Sequence, residues 1–198
     1  MAIKRFTESS VTEDIKYNSM LAGNTKTYKI GDIGTGGGKV FYVATTTFTG
    51  GPSSTQCKYL EAAPTTGTSA WTDAAYVWSG TTGTAIGVTA QGTAIGTGYG
   101  NTIAMVTQSS TASRAGTISR AYRGPNNLSD WYLPSKDELN QLYLQKTTVA
   151  ANVSDYYWSS TERNTSSATD AWGQNFLNGT AQPNLKIASY YVRPIRAF

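Results

Sequence analysis

Val192-Arg193-Pro194-Ile195-Arg196-Ala197-Phe198 is the stretch on which the fold turns, and it gains meaning beside two distant blocks. These are Asp130-Trp131-Tyr132-Leu133-Pro134-Ser135 and Tyr157-Trp158-Ser159-Ser160-Thr161-Glu162. Each block joins a tryptophan or an arginine to a residue that turns or caps the backbone. Trp131 and Trp158 read as core side chains rather than sugar-stacking platforms. Arg193 and Arg196 are spaced to lie on opposite faces of a strand, or on either side of the turn imposed by Pro194. A buried arginine paired with Glu162 or Asp130 is expected there, and Glu61 reads as a second partly buried pairing partner.

Outward from these blocks, Ser135-Lys136-Asp137-Glu138 has the spacing of a capping box. The serine hydroxyl accepts the N3 amide and Glu138 reaches back, while two acids face the positive end of the helix. Leu139, Leu142 and Tyr143 supply its apolar face. A second helix is expected over about 101–115, against the helix propensity of its Gly, Ser and Thr. Short β-prone runs cover 39–44, 155–160, 171–177 and 186–197. Ser, Thr and Gly dominate 45–56, 65–69 and 107–117, which read as loops. Gly83-Thr84-Ala85-Ile86-Gly87 returns once as Gly92-Thr93-Ala94-Ile95-Gly96, a local echo rather than a solenoid.

Residues 1–28 differ in kind. They are polar, carry both charge signs, and hold only isolated apolar residues: Ile3, Phe6, Val11, Ile15, Tyr17, Met20 and Leu21. No helical or strand period persists, so this stretch cannot bury enough apolar surface to fold alone. It is expected to be an extended arm that orders on a neighbouring subunit through those anchors, ahead of a compact domain at 29–198.

Composition narrows the function. Charged residues make up 14% of 198 residues, well under the usual quarter, so Thr, Ser, Asn and Gly must keep the surface wet. The net charge is +4, but the sixteen Lys and Arg are scattered without a basic run or stripe, and no nucleic-acid partner is expected. Histidine is absent, which removes Ser-His and Cys-His nucleophile systems and the usual zinc sets. Cys57 is alone and can form no intrachain disulfide. Gly31-Asp32-Ile33-Gly34-Thr35-Gly36-Gly37-Gly38 fails as a phosphate cradle. Ile33 stands where a P-loop needs its first glycine, Val40 where it needs Ser or Thr, and a strand-like run follows. No stretch is long and apolar enough to cross a membrane, and Met1–Glu8 lacks the apolar region of a secretion signal. No cofactor, metal or enzymatic activity is expected. Twelve carboxylates nonetheless keep a two-carboxylate hydrolase formally open.

The three blocks, together with Gly37-Gly38-Lys39-Val40-Phe41-Tyr42, Leu60-Glu61-Ala62-Ala63-Pro64 and Ala94-Ile95-Gly96-Thr97-Gly98, resemble the framework of the Lcl C-terminal domain-like family. The resemblance covers about 29–198. It implies an α+β, C-type-lectin-like domain with two helices and small antiparallel sheets, here preceded by the extended arm. It carries over no ligand residue, because the matching motifs are framework. Gln182-Pro183-Asn184 is similar to the triplets of calcium-dependent sugar-binding lectins. However, 174–191 contains no carboxylate, so a plain loop turn is expected there.

A lectin-like domain lacking a secretion signal and a disulfide points to a phage virion protein, located in a fibre, the tail or a decoration layer. It is expected to be a homo-oligomer joined to other virion subunits by the arm, without membrane insertion, and to adhere to host-surface glycans. A purely structural decoration subunit and a polysaccharide depolymerase are the alternatives. If a ligand surface exists, it should lie on loops between Thr161 and Tyr191. Glu162, Arg163, Asn164, Asp170, Trp172, Asn175, Asn178, Gln182, Asn184, Tyr190 and Tyr191 there offer amides, hydroxyls and aromatic faces. Deleting residues 1–28 should leave a folded domain that is no longer incorporated into particles; normal incorporation of the truncated chain would rule out the anchoring role.

Overall fold

A computed structural model describes residues 26–151, 155–164 and 168–198. The seven apolar anchors expected in the arm lie outside those residues. Tyr28, assigned to the arm, sets its ring against Tyr59 and Phe198, at centroid distances of 5.2 and 5.1 Å.

Among the described residues the fold is α+β, with three α-helices and two sheets. Strands β1 (Lys39–Gly50) and β2 (Thr55–Ala62) form an antiparallel hairpin. The 45–56 segment therefore corrects to strand and turn, because a run of β-branched Thr suits a pleated surface as well as a loop. The turn between them uses left-handed backbone at Gly51 and Ser53. Strand β3 (Ala75–Val77) follows, then helices α1 (Gly98–Gln108), α2 (Ala115–Ala121) and α3 (Lys136–Leu144). The helix expected at about 101–115 thus begins earlier and stops at Gln108, and after a break at 109–114 a further helix starts at Ala115, inside the 107–117 stretch expected to be a loop. Hydroxyls break it, since they compete for backbone groups: Thr117 donates to the Thr111 carbonyl, and the Ser109 and Thr111 hydroxyls pair at 3.0 Å. By contrast, the capping box of α3 forms as expected. The Glu138 amide donates to Ser135 Oγ, and the Ser135 amide to Glu138 at 2.7 Å.

Strands β4 (Tyr156–Glu162), β5 (Asp170–Asn175) and β6 (Ala181–Leu185) form an antiparallel meander. Strand β7 (Ser189–Tyr191) completes a five-stranded sheet in the order β3-β7-β4-β5-β6, and β8 (Ile195–Ala197) a three-stranded one, β1-β2-β8. The run at 186–197 is therefore not one strand. Val192-Arg193-Pro194 carries the chain from one sheet to the other, which is why this stretch governs the fold. Gln182-Pro183-Asn184 lies in β6 rather than in a loop; as a sheet edge, β6 can turn the donor-less side of Pro183 away from the ladder.

Two buried clusters fill the domain. One gathers Phe41, Leu60, Tyr132, Leu139, Tyr157 and Phe176 among others; the second holds Trp71, Trp78, Trp131, Trp158 and Val192. Both tryptophans read as core, Trp131 and Trp158, are fully buried. Buried ions tie the clusters to the backbone. Arg193 grips Asp73 through Nε and Nη2 at 2.6 and 2.5 Å and donates to the carbonyls of Ala63 and Val149. Its partner is thus Asp73 instead of Glu162, because Asp73 just precedes β3, and β3 pairs with β7. Arg196 bonds Asp130 at 2.6 Å, as expected, and also Glu61 at 2.9 Å.

Three glutamates, Glu61, Glu138 and Glu162, are fully buried, and each holds a glycine loop by its amides. Gly36 and Gly38 donate to Glu61 at 2.7 and 2.9 Å. Ile86 and Gly87 donate to Glu162 at 2.8 and 2.7 Å, and Gly96 donates to Glu138 at 2.8 Å. The internal echo thereby acquires a cause. In both copies the final glycine has positive φ, 88° at Gly87 and 94° at Gly96, and aims its N–H at a buried carboxylate.

Trp158→Ala removes a fully buried indole whose Nε1 donates to the Tyr76 carbonyl at 2.9 Å. Unfolding in denaturant should show a loss of about 3–5 kcal/mol; an unchanged midpoint would contradict the core role.

Candidate functional site

Strand alternation sorts the expected ligand residues into two groups, since paired residues share a face and neighbours along a strand do not. In β5–β6, Ala171 pairs with Asn184 and Gly173 with Gln182; in β4–β5, Tyr156 pairs with Asn175 and Trp158 with Gly173. Asn175, Gln182 and Asn184 therefore share one face with Tyr156 and Trp158. Tyr190 of β7 joins them, its ring centroid 5.1 Å from Tyr156 and 4.6 Å from Trp158. Its hydroxyl donates to Asn184 Oδ1 at 3.1 Å, and Asn184 Nδ2 donates to the Gln182 carbonyl at 3.0 Å. Gly173 lies between the aromatic and amide walls. Gly173 is buried, and a Cβ there would come within 3.1 Å of both Asn184 Nδ2 and the Tyr157 carbonyl and 3.7 Å of Trp158, so glycine lets the amide and aromatic walls close together over the strand.

The other expected residues go elsewhere. Asp170, Trp172 and Tyr191 take the opposite face. Tyr191 packs on Tyr157 at 5.5 Å, the Lys136 ammonium sits 3.8 Å over the Trp172 ring, and Asp170 bonds Arg163 at 2.8 Å. Asn164 is exposed beyond β4, and Asn178 is exposed in the β5–β6 turn, where its Oδ1 accepts the Thr180 amide. Glu162 cannot reach a ligand: it is buried against Lys186 at 2.6 Å. The surface is therefore built from strands, not from the loops expected at 161–191. Sequence reasoning missed Tyr156 and Gly173. The β-prone run at 155–160 contains the period-two signal for Tyr156 and Trp158, but Gly173 becomes meaningful only once β5 is paired.

Chemically, the face offers the half-buried phenol rings of Tyr156 and Tyr190 and the primary amides of Asn175, Gln182 and Asn184. Burial pushes the Tyr190 phenol above its usual pKa, helped by Tyr156 and Asp155, so it stays a neutral hydroxyl donor at physiological pH. Elsewhere, the amides of the 31–38 glycine turn that a phosphate would need are already bonded to Glu61. Among the described residues, no group of three or more His, Cys, Asp or Glu is placed to hold a metal ion. Likewise, no helix among them is long and apolar enough to cross a membrane.

An α+β domain of two small sheets stitched by buried ion pairs is thus a framework carrying a neutral aromatic–amide face. The family model of the Lcl C-terminal domain matches residues 71–196, and the chain belongs to that family. No curated protein matches the sequence.

Glu138 differs electrostatically from the other two glutamates. Glu162 has Lys186 and Glu61 has Arg196 as an ion-pair partner, whereas Glu138 receives the amides of Ser135 and Gly96 and the Tyr132 hydroxyl. Burial outweighs those donors and pushes its pKa up to about 7. A carboxyl with a raised pKa in the fold binds more protons folded than unfolded between about 4.5 and 7. Stability from this group is therefore full below its unfolded pKa and falls as pH rises through the folded value. The pH dependence of unfolding free energy between pH 4.5 and 7.5 should flatten in Glu138→Gln; an unchanged slope would refute the assignment.

Proposed function

We propose that this chain is a display subunit of a phage virion, in a fibre, the tail or a decoration layer, with a C-type-lectin-like domain that adheres to host-surface glycans through the face around Gly173. One observation carries the adhesion: Tyr156, Tyr190, Gln182 and Asn184 lie together on the sheet face around Gly173. Phenol faces stack on the apolar side of a pyranose, while amides match vicinal hydroxyls at the level of donors and acceptors. The fold class supports the lectin-like reading, with two small sheets and short helices framing irregular connections. Placement on a virion rests on sequence alone, on the polar opening segment and the family resemblance.

The depolymerase reading receives less support. Glu61, Glu138 and Glu162 are buried in framework bonds, Asp73 and Asp130 are held by arginines, and Asp170 is held by Arg163. A purely structural role keeps one observation in its favour. Leu177, Leu185 and Ile187 expose large aliphatic side chains on the β5–β6 turn, on β6 and just beyond it. Such side chains suit packing against a neighbouring subunit.

The multimerised chain should bind host cells and isolated surface polysaccharide with or without chelator. Tyr190→Ala and Asn184→Ala should each weaken binding about tenfold or more, while Leu185→Ser leaves it unchanged. Absence of binding by the multimer would favour the structural role, and chelator-sensitive binding would reveal a calcium dependence contrary to this proposal.

A further inference from the structure

Gly100 is a glycine without a packing reason. It lies in the first turn of α1, where an added Cβ would meet nothing within 4 Å, and its φ is not positive. Its neighbours differ: a Cβ on Gly98 would strike Glu138 at 2.2 Å, and one on Gly92 would strike Thr97 at 2.7 Å. Glycine weakens a helix relative to alanine, so its presence at 100 needs another cause. The position supplies one. Gly100 lies where two depressions meet, one of about 520 Å³ between the β1–β2 turn and the start of α1, the other of about 550 Å³ along α1. A side chain there would project into their junction, and glycine keeps the groove continuous.

The two parts differ in chemistry. The first is mixed: Ser53, Ser54 and Thr89 bring hydroxyls and Asn101 an amide, beside Val88, Ile103 and the ring of Tyr99, while the Thr97 hydroxyl is already bonded to the Ala94 carbonyl. The second is lined mainly by Ile86, Ile103 and Ala104. Among the described residues no charged side chain lines either part; Arg120, 4.9 Å from the Tyr99 ring centroid, is bonded to the Trp131 carbonyl. An acidic or basic ligand would find no counter-charge, and a purely aliphatic one would leave the hydroxyl end unmatched. We infer that this groove is a second binding site, for a neutral saccharide bearing a methyl-containing substituent such as an acetamido or 6-deoxy group. Ring hydroxyls lie at the Ser/Thr end and the methyl lies against Ile86 and Ile103. The inference rests on the reading of the chain as a carbohydrate-binding module, but it uses residues separate from the Gly173 face.

Amide NMR shifts of the full chain, titrated with N-acetylglucosamine trimer, rhamnose, glucose and a neutral acetylated Ala/Thr peptide, test it. The first two sugars should shift the amides of Gly92, Thr97 and Gly100 saturably, and glucose should bind several-fold more weakly. Gly100→Leu should weaken sugar binding at least tenfold while melting no lower than wild type, and Tyr190→Ala should leave the groove response intact. Groove shifts without any response at Gly173 would uphold this site and count against the sheet-face reading. Silence of the groove amides to both methyl-bearing sugars, wild-type affinity in Gly100→Leu, or a groove that takes the peptide instead would each overturn the inference.

Discussion

A carboxylate removed from water must collect its hydrogen bonds from the protein, and in this domain the donors are backbone amides of glycine loops. Glu61, Glu138 and Glu162 are each fully buried, and each gathers a loop that has little apolar side-chain surface of its own with which to dock. The loops of 31–38, 83–87 and 92–98 would otherwise be long, entropically expensive connections. At Glu61 and Glu162, where a cation faces the carboxylate, the bonds run to a charged group and are stronger than neutral ones. Removing any of these carboxylates would leave amides of that loop unpaired.

The charge compensation is uneven, and chain topology explains the unevenness. Lys186 follows the edge strand β6, so its buried ammonium reaches Glu162 at 2.6 Å and the carbonyls of Thr84 and Ala168 at 3.3 and 2.6 Å. Arg196 on β8 is paired opposite Glu61 on β2, so sheet register places that ion pair directly. Glu138 instead lies at the start of α3, where its capping role fixes the side chain against Ser135 and Gly96. The cap and the neighbouring loop supply its N–H donors, and among the described residues no cation bonds it. The same residue type thus serves three loops with two electrostatic solutions.

Local signals were legible where one side chain acts on its own neighbours. The Ser135–Glu138 box and the strand at 155–160 belong to this group. The core role of Trp131 and Trp158 and the Arg196–Asp130 pair, 66 residues apart, were legible because the three blocks were read together. What sequence left obscure depends on pairing between distant strands. Asp73 could not be matched to Arg193 before β3 was known to lie beside β7. The break at 109–114 turns on hydroxyl-to-backbone bonds that compete evenly with helix formation. Candidate ligand residues separated by one position, such as Tyr190 and Tyr191, look equivalent in sequence yet belong to opposite faces.

The scarcity of charge then takes on a structural meaning. A substantial part of it lies inside the framework: Glu61, Glu138, Glu162, Lys186 and Arg193 are buried, and Asp73, Asp130 and Arg196 are largely so. With charge drawn inward to hold loops and join sheets, much of the outer face is left to hydroxyls, amides, glycine and aromatic rings. Salt screens such a surface little, because its contacts are short-range and neutral. It also provides little long-range steering, so association must rely on many weak contacts made together. On the proposed reading of the chain as a displayed adhesion domain, repetition on one particle would supply that multiplicity.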